Sequence, residues 1–214
     1  LTFTNKAARE MKERIGNLVD KDLADRLYMG TFHSVFSRIL RAEAQHIGYN
    51  SNFTVYDETD SRSLLKSIIK TLGLSDKDYK PSTVHSIISM AKNQLVGADA
   101  FAASNGGQSG LKGAKLKAVS QIYAAYQARC RQANAMDFDD LLVNTFRLFN
   151  ENADIRNKYA ERFQYILVDE YQDTNFVQVA IVKLLTAKHQ RICVVGDDYQ
   201  SIYSFRGASI DNIL

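Results

Sequence analysis

Apolar residues recur every three or four positions along most of the chain, a spacing typical of α-helices that bury one face. The six stripes begin at Ala7, Phe32, Leu64, Val84, Val119 and Phe138. Residues suited to start a helix precede five of them, and these predicted starts are the pair Thr4-Asn5, Thr31, the pair Thr59-Asp60, the pair Pro81-Ser82, and Asp137. Asp140 stands three positions after Asp137, which predicts a capping box. We interpret nearly all the apolar residues of these stripes as core.

Two short apolar runs, residues 165–169 and 192–196, have a different pattern and end in an acid or a glycine. Runs of this kind are typical of parallel strands that are covered on both faces. The stripe between them, from Val177 to Leu185, predicts a crossover helix and therefore a β-α-β unit. A third strand is predicted to end at residues 1–4.

These elements predict an α/β fold with two parts. Residues 1–30 and 164–214 form one parallel-sheet domain in this interpretation, and residues 31–163 form a large inserted all-helical domain. Within the insertion, the glycine-rich residues 98–113 are predicted to be a flexible loop.

The composition indicates the class of protein and its cellular compartment. Hydrophobic residues make up 45% of the 214 residues and charged residues 24%, which is typical of a globular chain. No apolar run is long enough to cross a membrane, and the start has no secretory signal, so we expect no membrane association. The two cysteines, Cys130 and Cys193, stand alone, which fits a reducing, cytoplasmic location. Because the chain begins inside a predicted strand and without Met, we expect it to be a fragment.

Charge is distributed unevenly although the net charge is only +3. Residues 100–136 contain five basic residues and no acid, whereas residues 137–175 contain nine acids and four bases. The basic residues are Lys112, Lys115, Lys117, Arg129 and Arg131. This arrangement predicts either a surface for a polyanion beside a metal or catalytic site, or two solvated helix faces.

The strongest candidate for chemistry is the acidic pair Asp169-Glu170 at the end of a predicted buried strand. Ligands of open α/β sheets bind at the carboxyl edge of the strands. One carboxylate there can hold Mg²⁺, and its neighbour can orient and deprotonate an attacking water. The competing interpretation is an acidic surface turn, which the apolar strand before it disfavours.

A second candidate follows the next strand, from Gly196 to Ala208. Gln200 is placed to reach a phosphate oxygen or a water near the acidic pair. Tyr203, Phe205 and Arg206 bring two rings and a cation together, as base stacking and phosphate contact require. Packing aromatics with a surface arginine are the alternative interpretation.

Two further polar segments stand at predicted helix starts. Residues 2–8 include Phe3, Asn5 and Lys6 at a strand-to-helix junction, which can bind an anion. Residues 31–34 include His33, for which phosphate or sugar contact is the better functional interpretation, because the four histidines lack metal-site spacing. The phosphate-loop pattern G-x-x-x-x-G-K-[ST] is absent, since the sequence contains no Gly-Lys pair.

Taken together and in order, five blocks resemble superfamily-one DNA helicases of the UvrD/Rep/PcrA type, essentially from end to end. The blocks are residues 2–8, 31–34, 137–142, 169–174 and 196–208. The resemblance implies part of a RecA-like P-loop NTPase sheet domain with an inserted helical domain. It also implies an ATP-dependent 3′–5′ helicase that uses ATP and Mg²⁺, binds single-stranded DNA and duplex junctions, and works with repair or replication proteins.

The resemblance also implies roles for individual residues. Asp169 would bind the Mg²⁺ that accompanies ATP, Glu170 would activate the hydrolytic water, and Gln200 would sense the γ-phosphate. The residues implied to contact or stack on bases are Phe3, Tyr203 and Phe205. Those implied to grip the DNA strand are Asn5, Thr31, His33 and Arg206.

The family's phosphate loop is expected just before Leu1, and its second motor domain after Leu214. We therefore expect no meaningful ATP turnover from these residues alone. Three alternatives stay open: a non-catalytic module that binds DNA or protein, the helicase subunit of a helicase–nuclease, and, more weakly, a nuclease built on Asp169, Glu170 and Asp173.

Overall fold

A computed structural model describes residues 1–104 and 109–197 of the chain. The helices there are α1 (Asn5–Leu18), α2 (Lys21–Arg26), α3 (Phe32–Glu43), α4 (Glu58–Thr71), α5 (Pro81–Asn93), α6 (Ala98–Ala103), α7 (Gly113–Gln132), α8 (Phe138–Glu151), α9 (Ala153–Arg162) and α10 (Phe176–Thr186). The strands are β1 (Thr54–Tyr56), β2 (Ala135–Asp137), β3 (Ile166–Val168) and β4 (Ile192–Val194). None of the helices in these two ranges combines the length and apolar character needed to span a bilayer.

The predicted helix starts agree closely with the structure. Thr4 Oγ1 accepts a hydrogen bond from Ala7 N, and Thr31 Oγ1 accepts one from Ser34 N, so both threonines cap their helices. The capping box of α8 is also confirmed, as described below. Helix α4 begins earlier than predicted, because Asp57 is its cap and Asp60 is the acid three positions later.

The predicted β-α-β topology is confirmed, but the prediction that its strands are covered on both faces is wrong for the described residues, since Leu167 of β3 is 62% exposed and all three residues of β4 are exposed. Strands β3 and β4 pair in parallel, with Ile166 opposite Ile192, and α10 lies between them in the chain. The predicted third strand is reduced to two residues. Leu1 N donates to Leu167 O and Leu1 O accepts from Asp169 N, while Thr2 makes a parallel bridge to Thr31 on its other side. The order across this sheet is therefore Thr31, residues 1–2, β3 and β4.

The middle of the chain is not all-helical as predicted. Strands β1 and β2 form a second parallel pair, with Thr54 opposite Ala135. Each has only three residues, which is too short for a periodic pattern to identify. The predicted loop over residues 98–113 is also partly wrong, because Ala98–Ala103 is α6. Residues 105–108 lie outside the described part of the chain.

Buried apolar side chains form two clusters. The first joins α3, α8, α9 and α10 to strand β3, and it includes residues on both sides of positions 31 and 163. The second joins α4, α5, α6 and α7. The predicted domain boundaries stay a prediction, but the packing of α3, α8 and α9 is continuous with that of the β3–β4 sheet.

A buried ion cluster lies where the two apolar clusters meet. The Lys92 side chain is 1% exposed, and its Nζ lies 2.6 Å from Asp137 Oδ2 and 2.7 Å from Asp140 Oδ1. Tyr126 of α7 donates its hydroxyl to the same Asp137 oxygen. The two aspartates also form the capping box of α8, so Lys92 of α5 and Tyr126 of α7 both bind the first turn of α8.

The pKa values of the two aspartates shift in opposite directions, because one ammonium group faces two carboxylates. Burial alone would lower the pKa of Lys92, but the two aspartates raise it well above its ordinary value. Burial opposes ionisation of Asp137 as well, yet Lys92 keeps its pKa below the usual value. For Asp140, burial and the charge of Asp137 together raise the pKa to about 7.

The raised pKa of Asp140 predicts a pH-dependent stability. A group with a raised native pKa contributes stability that is complete below its unfolded pKa of about 3.9 and is lost as the pH rises through its folded value. We therefore expect the free energy of unfolding of Asp140→Asn, relative to the unsubstituted chain, to increase by about 2–3 kcal/mol between pH 5 and pH 8. Urea unfolding followed by circular dichroism at both pH values measures this difference.

The matched control is Asp76→Asn, since Asp76 is exposed. Its relative stability is expected to be the same at both pH values. An equally flat result for Asp140→Asn would show that Asp140 ionises as an ordinary carboxyl group.

Candidate functional site at the sheet edge

Asp169 and Glu170 directly follow β3 at the carboxyl edge of the sheet, and both are half-buried. Asp169 is held through both its backbone and its side chain. Its N–H donates to Leu1 O at 2.9 Å, and its Oδ1 accepts from Glu170 N at 3.0 Å. The acidic pair is therefore fixed to the sheet rather than lying in an exposed surface turn.

Glu170 adopts a left-handed backbone conformation, with φ +52° and ψ +44°. Side chains other than glycine, asparagine and aspartate seldom occupy this region, and backbone strain of this kind is concentrated at functional sites. The turn changes the chain direction at once, because a 3₁₀ turn over Tyr171–Asp173 starts immediately after it. This reversal takes the chain from the strand end toward α10 within five residues.

Gln172 joins the ends of the two strands. It is 1% exposed, its Nε2 donates to Glu170 Oε2 at 2.6 Å, and its Oε1 accepts from Asp197 N at 3.1 Å. Gln172 belongs to the block of residues 169–174, but the sequence predicted no role for it. No local pattern could have found it, since its second partner lies 25 positions away.

Gly196 makes this contact possible by having no side chain. A Cβ at this position would lie 2.7 Å from Gln172 Oε1 and 3.3 Å from the backbone nitrogens of Gln172 and Tyr171. The end of β4 approaches closely because Tyr171 N donates to Val195 O at 2.9 Å. Close approach of backbone to backbone is a common reason for a glycine at the end of a strand.

The donors at this edge fit a magnesium–nucleotide complex better than an all-protein metal site. Within residues 1–104 and 109–197, no group of three or more His, Cys, Asp or Glu residues is arranged to hold a metal ion. Mg²⁺ keeps several waters and commonly binds one or two carboxylates together with substrate phosphates. A single fixed carboxylate such as Asp169 suits that kind of site.

A group of aromatic rings lies just after the paired residues Thr2 and Thr31 and at the start of α8. The Phe3 ring packs 5.4 Å from that of Phe32, and Phe3 remains half-buried. His33 lies edge-on to Phe138, with ring centroids 5.5 Å apart. Phe138 is 54% exposed, so the prediction from its spacing that it belongs to the core is wrong. Its helical spacing with Leu141 gave no signal of this exposure.

Two of the three acids beside Phe138 do not present their charge to solvent. Asp137 and Asp140 are buried against Lys92. Asp139 Oδ1 accepts from Asn93 Nδ2 at 3.0 Å, and burial together with the charge of Asp137 raises its pKa. Because Asp137 and Asp140 are buried and Asp139 is half-buried, the surface around the Phe138 ring carries less negative charge than the sequence of this block suggests.

The other residues named from the sequence divide into three groups. Asn5 is exposed at the first turn of α1. Thr31 is 7% exposed and its hydroxyl serves as a helix cap, so its DNA contact stays a prediction. The remaining residues, Gln200, Tyr203, Phe205 and Arg206, lie outside the described part of the chain, as does the predicted approach of Gln200 to the acidic pair.

The five basic residues of the region 100–136 do not form one surface as predicted. Arg131 donates to Ile47 O and lies over the Tyr49 ring, while Arg129 donates to Ser67 Oγ. Lys117 and Arg131 lie on the side of α7 opposite Lys115, because successive residues of a helix are rotated by about 100°. The number of charges in residues 100–136 does not tell which side of the helix each of them faces.

Comparison with known proteins adds an independent finding. The family model described as the UvrD/REP helicase N-terminal domain matches residues 1–214. The chain is 45% identical over 215 residues to "ATP-dependent DNA helicase PcrA" of Staphylococcus aureus, 44% over 214 residues to the protein of that name in Bacillus subtilis, and 43% over 216 residues to that of Leuconostoc citreum. Each match covers 100% of this chain but only 28% of the relative's length.

The close packing around Gly196 predicts a local cost of adding one methyl group. In Gly196→Ala, the new Cβ must displace the Gln172 amide, which weakens its bonds to both Glu170 and Asp197. We expect the free energy of unfolding to fall by about 1–3 kcal/mol, as in other overpacked sites. Urea unfolding of the variant measures this.

Gly16→Ala is the matched control, because nothing lies within 4 Å of a Cβ built at that position in α1. There we expect stabilisation of about 0.5–1 kcal/mol, the ordinary benefit of alanine in a helix. Equal effects of the two substitutions would contradict the packing described for Gly196.

Proposed function

This chain belongs to the UvrD/REP helicase N-terminal domain family, and from that premise we propose that it is part of an ATP-dependent DNA helicase. The carrying observation is the fixed acidic pair at the carboxyl end of β3, with the Glu170 carboxylate held by a buried amide. In this proposal the β3–β4 sheet is part of a RecA-like motor domain. ATP hydrolysis there drives movement along single-stranded DNA in the 3′–5′ direction and the unwinding of duplex.

Asp169 and Glu170 divide the chemistry between them. Asp169 would hold Mg²⁺, directly or through water, and the ion would neutralise charge on the phosphates. Glu170 would orient the attacking water and accept its proton as the oxygen bonds to the γ-phosphorus. Because the sequence has no G-x-x-x-x-G-K-[ST] segment, we propose that these residues supply only part of the nucleotide site.

Single-stranded DNA is proposed to cross the surface formed by Phe3, His33 and Phe138. These rings offer stacking faces, and stacking tolerates any base sequence. The buried state of Asp137 and Asp140 supports this placement, since exposed carboxylates would repel the phosphates. Asn5, exposed at the start of α1, would donate to the DNA strand. Tyr203, Phe205, Arg206 and the γ-phosphate sensor Gln200 belong to the same proposal by resemblance.

The cellular setting completes the proposal. Duplex junctions as substrates, repair or replication proteins as partners, and a cytoplasmic location are all expected from a DNA helicase of this family.

The decisive variant is Glu170→Gln in the full-length gene product. It removes the proton acceptor while keeping the size of the side chain, so we expect DNA-stimulated ATP hydrolysis to fall about 10²–10⁴-fold. Nucleotide binding, measured by titration with a fluorescent ATP analogue, is expected to be retained.

Glu161→Gln serves as the control, since Glu161 is an exposed carboxylate in a surface pair with Lys188. It is expected to hydrolyse ATP at the unsubstituted rate. If Glu170→Gln keeps more than about a tenth of the activity, which is far more than loss of a general base allows, Glu170 is not the base.

The DNA surface has its own test. Replacing Phe138 with Ala removes an exposed ring that we propose stacks on a base, and such a contact is worth about 1–3 kcal/mol. We expect the Kd for oligo-dT, measured by fluorescence anisotropy at fixed salt, to rise about 5–150-fold.

Tyr165→Ala is the matched control, because Tyr165 is 69% exposed but stands before β3, at the opposite end of the strand from the acidic pair. Its Kd is expected to be unchanged. Equal weakening by the two substitutions would place the DNA elsewhere.

A further inference from the structure

We propose that Gln172 is a positioning residue that holds the Glu170 carboxylate in place for proton transfer, an inference that rests on the proposed function above. Gln172 touches neither nucleotide nor metal in this proposal. It acts through Glu170, and it connects that side chain to the end of the neighbouring strand.

The two bonds of the Gln172 amide fix its orientation. A carboxylate only accepts hydrogen bonds and a backbone N–H only donates. The amide nitrogen must therefore face Glu170 Oε2 and the amide oxygen must face Asp197 N, which is the arrangement in the structure. With 1% exposure, the side chain has no water to replace either partner.

This orientation gives the two carboxylate oxygens of Glu170 different roles. Oε2 is held by Gln172, so Oε1 is the oxygen that takes the proton. In the hydrolytic step, the water oxygen bonds to the γ-phosphorus, the bond from that phosphorus to the ADP oxygen breaks, and the water proton passes to Oε1. A base held at one oxygen cannot rotate away from the water, and small misplacements of catalytic groups are costly.

The strand ends are built around this amide. Glu170 is in the left-handed conformation, and Gly196 leaves the space that the amide oxygen occupies. Both features are needed to bring a side chain two residues after the base back onto it. A purely structural link between the strand ends would need only the contact with Asp197 N, because an acceptor alone satisfies that group.

Two substitutions use this difference to distinguish a positioning role of Gln172 from a purely structural one. Gln172→Glu keeps an oxygen for Asp197 N but removes the N–H that holds Glu170, whereas Gln172→Met removes both bonds without adding charge. In the full-length gene product, we expect each variant to lower kcat for ATP hydrolysis about 10–100-fold, with nucleotide affinity changed less than about threefold.

Gln178→Met is the matched control, because Gln178 is also a buried glutamine, 4% exposed, but its amide oxygen accepts from Asn175 N in the capping box of α10. Its expected kcat is unchanged. Circular dichroism confirms folding of each variant, and Gln172→Met tests the proposal should the added charge of Gln172→Glu prevent folding.

A double-variant cycle completes the test. If Gln172 acts through Glu170, then Glu170→Gln combined with Gln172→Met is no slower than Glu170→Gln alone. Full activity of Gln172→Glu, or additive losses in the double variant, would overturn the positioning role. A fully active Glu170→Gln would instead overturn the proposed function, so the two failures are distinguishable.

Discussion

The placement of one buried ammonium group governs much of this structure. Lys92 lies between Asp137 and Asp140, and a cluster of this kind is costly to break, because removing one partner leaves an uncompensated buried charge. Its main effect is geometric. It fixes the first turn of α8 against α5 and α7, which directs Asp137 and Asp140 inward and leaves Phe138 at the surface beside His33.

The residue next to Lys92 extends this junction toward the sheet edge. Asn93 donates to Asp139 in the first turn of α8, and its Oδ1 accepts from Asn175 Nδ2, the cap of α10. The start of α10 follows directly on the turn that carries Glu170 and Gln172. The end of α5 therefore contacts both the helix that presents the aromatic surface and the segment that leaves the acidic pair.

The features that the sequence predicted well are those with local causes. Thr4, Thr31 and Asp137 cap their helices through groups three residues away, and the apolar runs of β3 and β4 are recognisable as strands from their own residues. The acidic pair was found because it follows such a run.

The features that were missed depend on distant partners. Lys92 reaches Asp137 across 45 positions, and Gln172 reaches Asp197 across 25. Phe138 belongs by spacing to a core stripe, and only the packing of α8 exposes it. Arg131 is exposed, as the sequence suggested, but its bond to Ile47 O, 84 positions away, is not visible in the sequence. Periodicity reports which face of a helix is apolar, but the neighbours of that face come from the tertiary structure.

Residues 1–2 lie between the two proposed sites as a single extended stretch. Leu1 is bonded to the peptide of Asp169 on one side, and Thr2 to the backbone around Thr31 on the other. Neighbouring strands are separated by about 4.8 Å, so the proposed nucleotide and DNA surfaces are one strand apart. Residues 1–2 therefore contact both proposed sites, and substitutions there are expected to impair ATP hydrolysis and DNA binding together. A double-variant cycle with Glu170 or Phe138 assigns each defect to its site.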